Sequence, residues 1–175
     1  SAMWVSKTYV GSLFTPWVSM PMQHGRKKTM PNHCYQSVFI KGPRDMVREL
    51  YFNLDRRRVL SPRFCDVVVP MPLDQAGNSY EWCNKNWGTK WDVAEVEIED
   101  SGLEHSDDEY PIPVAWFSFK CWTAWGPPVP VWHKLHSLGI EVEADYEVDG
   151  IDFAGAYRGG EDTNWNIIHR YEEEA

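Results

Sequence analysis

Two segments of the chain alternate strictly between apolar and acidic residues, and this pattern constrains the fold more than any other feature. They span residues 93–99 and 140–148. Alternation with a period of two is typical of a strand that buries one face and exposes the other. The acidic positions are Glu95, Glu97 and Glu99 in the first segment, and Glu141, Glu143, Asp145 and Glu147 in the second. We therefore expect a sheet with one covered face and one acidic face, with Ala94, Val96 and Ile98 turned inward.

Further periodic segments complete an α+β pattern. Residues 34–40 and 114–123 alternate as strands, whereas 43–54 and 127–138 place apolar residues at helical spacing behind a proline. The order strand, helix, strand, strand, helix, strand is that of a ferredoxin-like fold with two helices on one sheet face. Residues 152–158 are predicted to add a hairpin strand after a turn at Asp149-Gly150. Residues 74–91 are predicted to be a loop with one helical turn, and 100–109 an acidic loop.

The sequence of the second predicted helix also indicates which of its side chains face the core. The apolar spacing turns Val131, Trp132, Leu135 and Leu138 toward the core, and Gly139 is placed to end the helix.

The length of 175 residues indicates one domain. Residues 1–29 are predicted to be an N-terminal extension, in which Ser1-Ala2 resembles the remnant of a cleaved tag and Arg26-Lys27-Lys28 is a basic run. Residues 30–160 form the predicted domain, and 161–175 an acidic C-terminal tail.

Composition excludes several classes of partner. The net charge of −9 and pI of 5.1 oppose binding to nucleic acid or to anionic membranes, which reward lysine and arginine. The four cysteines lie far apart without a C-x-x-C pair, which indicates reduced thiols in the cytoplasm. No apolar run approaches the roughly 18 residues of a membrane span, and no signal peptide is apparent.

Short motifs are spread over residues 30–160. They read M-P-N-H-C at 30–34, P-M-P at 70–72, W-C-N-K-N-W-G-T-K-W-D at 82–92, T-A-W-G-P-P at 123–128, Y-E-V-D-G at 146–150 and F-A-G at 153–155. On these motifs the chain resembles the YubB-type ferredoxin-like domain family of phage and plasmid proteins, whose function is unknown. The resemblance implies the fold and the cytoplasm of an infected or plasmid-bearing bacterium, and no activity. The family has tryptophan at the position of His33 and asparagine at that of Gln36.

The stretch 86–92 suggests a ligand site, because two tryptophans beside a glycine offer flat faces among directed polar groups. The candidate residues are Asn86, Trp87, Lys90, Trp91, Asp92, Thr123, Trp125 and Glu147. Such a site at the strand ends suits a nucleotide-like small molecule, whose base stacks on an aromatic ring. The alternative is that both tryptophans fill the core and that Lys90 pairs with Asp92 or Glu147.

Two residue pairs that contain histidine have spacings relevant to metal binding or catalysis. His133 and His136 have a spacing that suits a metal, but no complete ligand set is visible. His33 and Cys34 are adjacent on a strand and point to opposite faces, so they cannot act as base and nucleophile. No catalytic residue, metal or cofactor is therefore expected.

Three functions remain open. The first is a binding protein that sequesters a nucleotide-like molecule and so counters host defence signalling. The second is an inhibitor that binds a host protein through an acidic, DNA-mimicking face; its candidate residues are Trp116, Trp122, Glu143 and Asp145. The third is a small enzyme acting on a nucleotide, with Asp92 or Glu147 as its base. A homo-oligomer is compatible with all three, because exposed strand edges can pair.

Overall fold

The computed structural model of the chain describes residues 32–104 and 113–166. The strands are β1 (His33–Pro43), β2 (Ala94–Glu104), β3 (Val114–Ala124), β4 (Glu141–Val148), β5 (Phe153–Arg158) and β6 (Glu161–Asn166). The α-helices are α1 (Arg44–Leu54), α2 (Cys65–Val68), α3 (Ser79–Asn86) and α4 (Val129–Ser137), and a 3-10 helix spans Leu73–Asn78. The predicted extension at 1–29 and the end of the predicted tail lie outside the described residues.

The six strands form one antiparallel sheet in the order β2-β3-β1-β4-β5-β6. The predicted α+β class is thus confirmed. Strand β1 lies in the interior of the sheet, and its Phe39 is level with Ser118 of β3 on one side and Glu143 of β4 on the other. This register assigns each side chain of the central strands to one of the two faces.

One face of the sheet carries the core. In β1 the residues Cys34, Val38 and Ile40 are almost fully buried, and α1 and α4 pack on this face. The ring of Trp132 on α4 lies 5.4 Å from that of Tyr157 on β5. The opposite face, which we call the open face, carries alternate residues such as Tyr35 and Phe39 on β1, Trp116, Lys120 and Trp122 on β3, and Glu141, Glu143, Asp145 and Glu147 on β4.

Strand β2 departs from the predicted alternation. Ala94 is level with Trp122 and Glu97 with Lys120, so β2 has one residue more than β3 in this interval. The extra residue forms a β-bulge, at which Glu95 has a φ of 50°. The bulge brings Ala94 onto the open face with Glu97, so its predicted inward position is wrong.

Glu95 itself leaves the acidic row predicted for the open face. Its carboxylate lies 3.4 Å from the guanidinium of Arg56, which follows α1. The predicted row of three glutamates is therefore broken at its first member.

Four other predictions need correction. The predicted loop at 74–91 holds a 3-10 helix and α3, because its polar residues are compatible with a helix that is mostly exposed. Strand β2 continues to Glu104, into the predicted acidic loop. The sheet extends beyond residue 160, because β6 pairs with β5. Leu138 is 45% exposed, since α4 ends at Ser137 and Gly139, with a φ of 79°, turns the chain away.

Ion pairs across neighbouring strands neutralise part of the open face. Lys120 pairs with Glu99 at 2.6 Å, and Arg158 pairs with Asp145 at 2.8 Å. The acidic face expected from the sequence is therefore interrupted by cations. Within the described residues, no helix is long and apolar enough to cross a membrane.

Candidate ligand-binding site

Trp87 belongs to the core. It follows α3, is 5% exposed, and its indole N–H donates to the Val69 carbonyl at 2.9 Å. Its ring meets the edge of Trp82 at a centroid distance of 5.5 Å. The next residue, Gly88, has a φ of 77° and turns the chain toward Pro130. Trp87 therefore fills the core, as the alternative interpretation of this tryptophan held, and offers no face to a ligand.

Thr89 connects the loop that follows it to the end of β3 through hydrogen bonds. The side chain is fully buried, and its hydroxyl donates to the Ala124 carbonyl at 3.1 Å and accepts from the Ala124 N–H at 3.2 Å. Because both bonds go to the residue before Trp125, Thr89 sets the distance between residues 90–91 and Trp125. A single threonine in a polar stretch gave no signal of this role in the sequence.

Lys90 lies inside a cage of three aromatic rings. Its ammonium nitrogen is 5.3 Å from the ring centroid of Trp91, 5.5 Å from Trp125 and 5.6 Å from Tyr80. In the described part of the chain no carboxylate forms an ion pair with it, so its predicted pairing with Asp92 or Glu147 is wrong. A cation over aromatic faces is stabilised by the ring quadrupole.

Trp125 and Tyr80 form the outer wall of this cage. They meet edge to face at 5.9 Å and are 46% and 47% exposed. Trp125 adopts a φ of 73°, which is rare for a bulky residue, and its backbone N–H donates to the Asn32 carbonyl at 2.8 Å. The hydrogen bond and the fixed loop around it hold the indole toward solvent. Tyr80 was not predicted, because residues 74–91 were expected to be mostly loop.

Asp92 has a structural role away from the cage. Its carboxylate accepts hydrogen bonds from the backbone N–H groups of Phe64, Cys65, Asp66 and Val93 at 2.8–3.0 Å. Three of these donors lie at the start of α2, whose free N–H groups need acceptors. With its oxygens occupied in this way, Asp92 is a cap of α2 and is poorly suited to act as a base.

Thr123 and Asn86 are also engaged within the protein. Thr123 is fully buried, accepts from the Gln36 amide at 2.5 Å and donates to the Gly126 carbonyl at 2.6 Å. Asn86 donates to the Trp82 carbonyl at 2.8 Å, one helical turn back. Neither side chain is part of the exposed cage.

The cage continues onto the open face. The rings of Trp91 and Trp122 meet edge to face at 6.3 Å, and His33 stacks on Trp122 at 4.0 Å. Tyr35 lies edge-on to His33 at 6.2 Å and is 38% exposed. We call this continuous row the aromatic strip; its members are Tyr80, Trp125, Lys90, Trp91, Trp122, His33 and Tyr35. His33 is thus part of the strip.

Glu147 lies at the end of this strip on the open face. It is level with Tyr35 on the neighbouring strand and exposed. In the described residues it has no ion pair, so its carboxylate remains available to solvent or to a partner.

The four residues predicted to bind a protein lie together on the open face. Trp116 covers Gly102 of β2, where an added Cβ would come 2.6 Å from the indole, and it lies 6.0 Å from Phe39. Trp122 is part of the strip. Glu143 and Asp145 are both within ion-pair distance of Arg158, at 3.7 and 2.8 Å.

The cysteines are buried in the core, and His133 is hydrogen-bonded within the fold. Burial raises the pKa of the Cys34 thiol to about 12 and raises those of Cys65 and Cys121 well above the ordinary range. All four cysteines are unpaired and buried. His133 is held by the Tyr157 hydroxyl at 3.1 Å. Within the described residues, no group of histidine, cysteine and acidic side chains is arranged to hold a metal.

One cleft among the described residues lies elsewhere. It measures about 350 Å³ and runs between the end of α1 and β2, from Tyr51 to Arg57 on one side and Val96 to Ser101 on the other. No member of the aromatic strip lines it. The strip is thus an open surface at the sheet end, and not an enclosed cavity.

Comparisons of the chain with protein-family models, with curated proteins and with solved structures find no match.

Proposed function

We propose that the protein acts by binding and that the aromatic strip receives a planar, anionic, nucleotide-like molecule. The observation that carries the proposal is the environment of Lys90. Its charge is met by three aromatic rings and by no carboxylate of the described residues, and two of these rings are about half exposed. An anionic group that approaches the strip therefore finds an unpaired cation beside flat apolar faces.

Each part of such a ligand has a counterpart in the strip. A base that stacks on an exposed ring gains about 1–3 kcal/mol, and any base can do so because each has a π face. A phosphate near Lys90 gains a charge-assisted hydrogen bond. Glu147 lies at the far end of the strip. Because its carboxylate repels a phosphate and accepts hydrogen bonds, a hydrogen-bond donor on the sugar or base suits this end of the strip better.

The proposal also covers the fold family of the chain and its origin in a phage or plasmid. The order β2-β3-β1-β4, with α1 between β1 and β2 and α4 between β3 and β4, supports assignment to the ferredoxin-like folds. The motif resemblance supports membership of the YubB-type family and an origin in a phage or plasmid. In that setting, sequestration of a nucleotide signal would weaken a host defence response.

The first experiment is native mass spectrometry of the protein recovered from its expression host, compared with its denatured mass. A retained nucleotide-sized mass would identify the ligand class. Thermal shifts with a panel of mononucleotides, dinucleotides and cyclic nucleotides extend the search to ligands that the expression host lacks.

Two variants connect binding to the strip. Lys90→Met removes the charge and keeps the aliphatic stem, whereas Trp125→Ala removes one of the two exposed walls of the cage. Both should abolish a nucleotide-induced thermal shift. Phe52→Ala is the control, because Phe52 is a partly exposed ring on α1 and should leave the shift unchanged. If no nucleotide shifts the melting temperature at millimolar concentration and none co-purifies, the proposal is wrong.

A second candidate function, inhibition of a basic host protein, is favoured by the open face. There Trp116, Phe39 and Trp122 lie partly exposed between strands that carry carboxylates. Aromatic and acidic side chains together suit arginine-rich surfaces. Charge reversal by Glu141→Lys with Glu147→Lys should reduce recovery of a host partner in pull-downs. Equal recovery would remove this candidate.

A further inference from the structure

The charges of the chain are divided unevenly between the N-terminal residues and the rest. Residues 4–31 contain four cations, Lys7, Arg26, Lys27 and Lys28, and no aspartate or glutamate. Because the whole chain has a net charge of −9, the remainder carries −13. The same segment is rich in large apolar side chains, which are Trp4, Tyr9, Phe14 and Trp17. Its composition is thus complementary to an acidic surface with exposed aromatic rings.

The open face is such a surface. In the described residues the helices pack against the opposite face, so the rings of Tyr35 and Phe39 lie beside solvent. Glu97, Glu141 and Glu147 are exposed there and form no ion pair within residues 32–104 and 113–166. The cations of this face are already engaged, for example Lys120 with Glu99. The unbalanced charge of the face is therefore negative.

The point at which the segment joins the sheet places its basic run beside this face. Strand β1 begins at His33 in the interior of the sheet, and the Asn32 carbonyl is fixed by the Trp125 N–H. Lys28 is four residues before Asn32, a distance of at most about 14 Å along the chain. Glu147 is level with Tyr35, three residues after Asn32, on the adjacent strand. A side chain tethered at this distance has an effective concentration on the order of millimolar.

We propose that residues 4–29 dock on the open face of the same chain, with the basic run against Glu147 and the aromatic residues over the central strands. The docked segment occupies the surface considered above for a basic host protein, so such a partner would have to displace it. This proposal does not depend on ligand binding at Lys90.

The test is zero-length carbodiimide crosslinking of the full chain, followed by mass spectrometry. Lys7, Lys27 and Lys28 should couple to the open-face carboxylates Glu97, Glu141 and Glu147. They should not couple to Asp45 or Glu49, which are exposed on α1. Lys7 is the more decisive reporter, because its 25-residue tether reaches both faces. Equal coupling of Lys7 to both sides would overturn the proposal.

A mixture of isotopically light and heavy protein identifies the origin of the segment. Docking within one chain gives crosslinks that are purely light or purely heavy. Mixed crosslinks would contradict the proposal and assign the face to the segment of a second copy. In 1 M salt, where the screening length is about 3 Å, the crosslinks from Lys7 should fall severalfold.

A matched pair of variants separates docking from simple proximity. Glu141→Lys with Glu147→Lys reverses two charges on the open face, and Asp45→Lys with Glu49→Lys reverses two on α1. Only the first pair should increase hydroxyl-radical labelling of Phe39 and Trp116, by twofold or more, because the segment no longer covers them. Equal labelling in both variants and the unmodified protein would overturn the proposal, whatever the outcome of the nucleotide experiments.

Discussion

The side-chain amide of Gln36 on β1 donates a hydrogen bond of 2.5 Å to the hydroxyl of Thr123 on β3, inside the apolar core. Gln36 is 1% exposed and Thr123 is fully buried. The Thr123 hydroxyl in turn donates a hydrogen bond to the Gly126 carbonyl at 2.6 Å, which also fixes the turn that precedes α4. A buried amide is tolerated here because its partners are present on both strands.

Thr123→Val should lower the free energy of unfolding by about 1–3 kcal/mol, because valine has the same shape but leaves the Gln36 amide without this acceptor. Chemical denaturation measures the change. Ser118→Ala on the open face of β3 is the control and should alter stability by less than about 0.5 kcal/mol. The double variant Gln36→Leu with Thr123→Val should be more stable than the sum of the single changes predicts. Strict additivity would show that the two side chains are not coupled.

Asp92→Ala should also lower the free energy of unfolding by about 1–3 kcal/mol, since it removes the acceptor of four backbone N–H groups at 2.8–3.0 Å. Hydrogen exchange should quicken at the amides of Cys65 and Asp66. Glu97→Ala, an exposed acidic position on β2, is the control. Unchanged stability of Asp92→Ala would contradict the capping role.

Gly88→Ala should be more destabilising than Gly139→Ala. Both glycines have φ angles near 78°, so each alanine bears the left-handed penalty of about 1–2 kcal/mol. At Gly88 the new Cβ would in addition lie 2.9 Å from Pro130 Cδ, whereas Gly139 has no atom within 4 Å of it. Gly77→Ala, which also meets no atom, should be nearly neutral. Equal melting temperatures for the first two variants would argue against the close approach to Pro130.

Stability should fall at alkaline pH. Burial raises the pKa of the Cys34 thiol from 9.0 to about 12. The folded state therefore keeps its proton where the unfolded chain releases it, and the stabilisation that is complete below pH 9 is lost as pH rises toward 12. Denaturant unfolding at pH 8, 9, 10 and 11 measures this fall. Cys34→Ala should flatten the curve, and an unmodified protein equally stable at pH 8 and 11 would contradict the prediction.

Several parts of the site could be predicted from local pattern. Lys90, Trp91 and Trp125, which the sequence grouped into one candidate site, lie together in the structure, because a strand and the loop beside it end at the same edge of the sheet. Trp87 and Asp92 were grouped with them by proximity in sequence, yet one faces the core and the other caps α2. Tyr80 and His33 were missed, since they join the strip only through packing between α3, β1 and β3.

The alternation of apolar and acidic residues by itself determined a sheet with a covered face and an acidic face. Because side chains alternate between the two faces of a sheet, the sequence assigns each residue to a face wherever a strand is regular, as in β1, β3 and β4. Only the tertiary structure decided where that rule fails in β2, which is at the bulge of Glu95 and at a second register shift between Ile98 and Asp100. It also decided which polar groups distant in sequence form hydrogen bonds. Asp92 finds three of its four donors 26–28 residues away, and Lys90 lies among rings from α3, from its own loop and from the end of β3. The interaction partners of Asp92 and Lys90 depend on how the helices, strands and loops pack, and this packing cannot be inferred from the spacing of residues close in sequence.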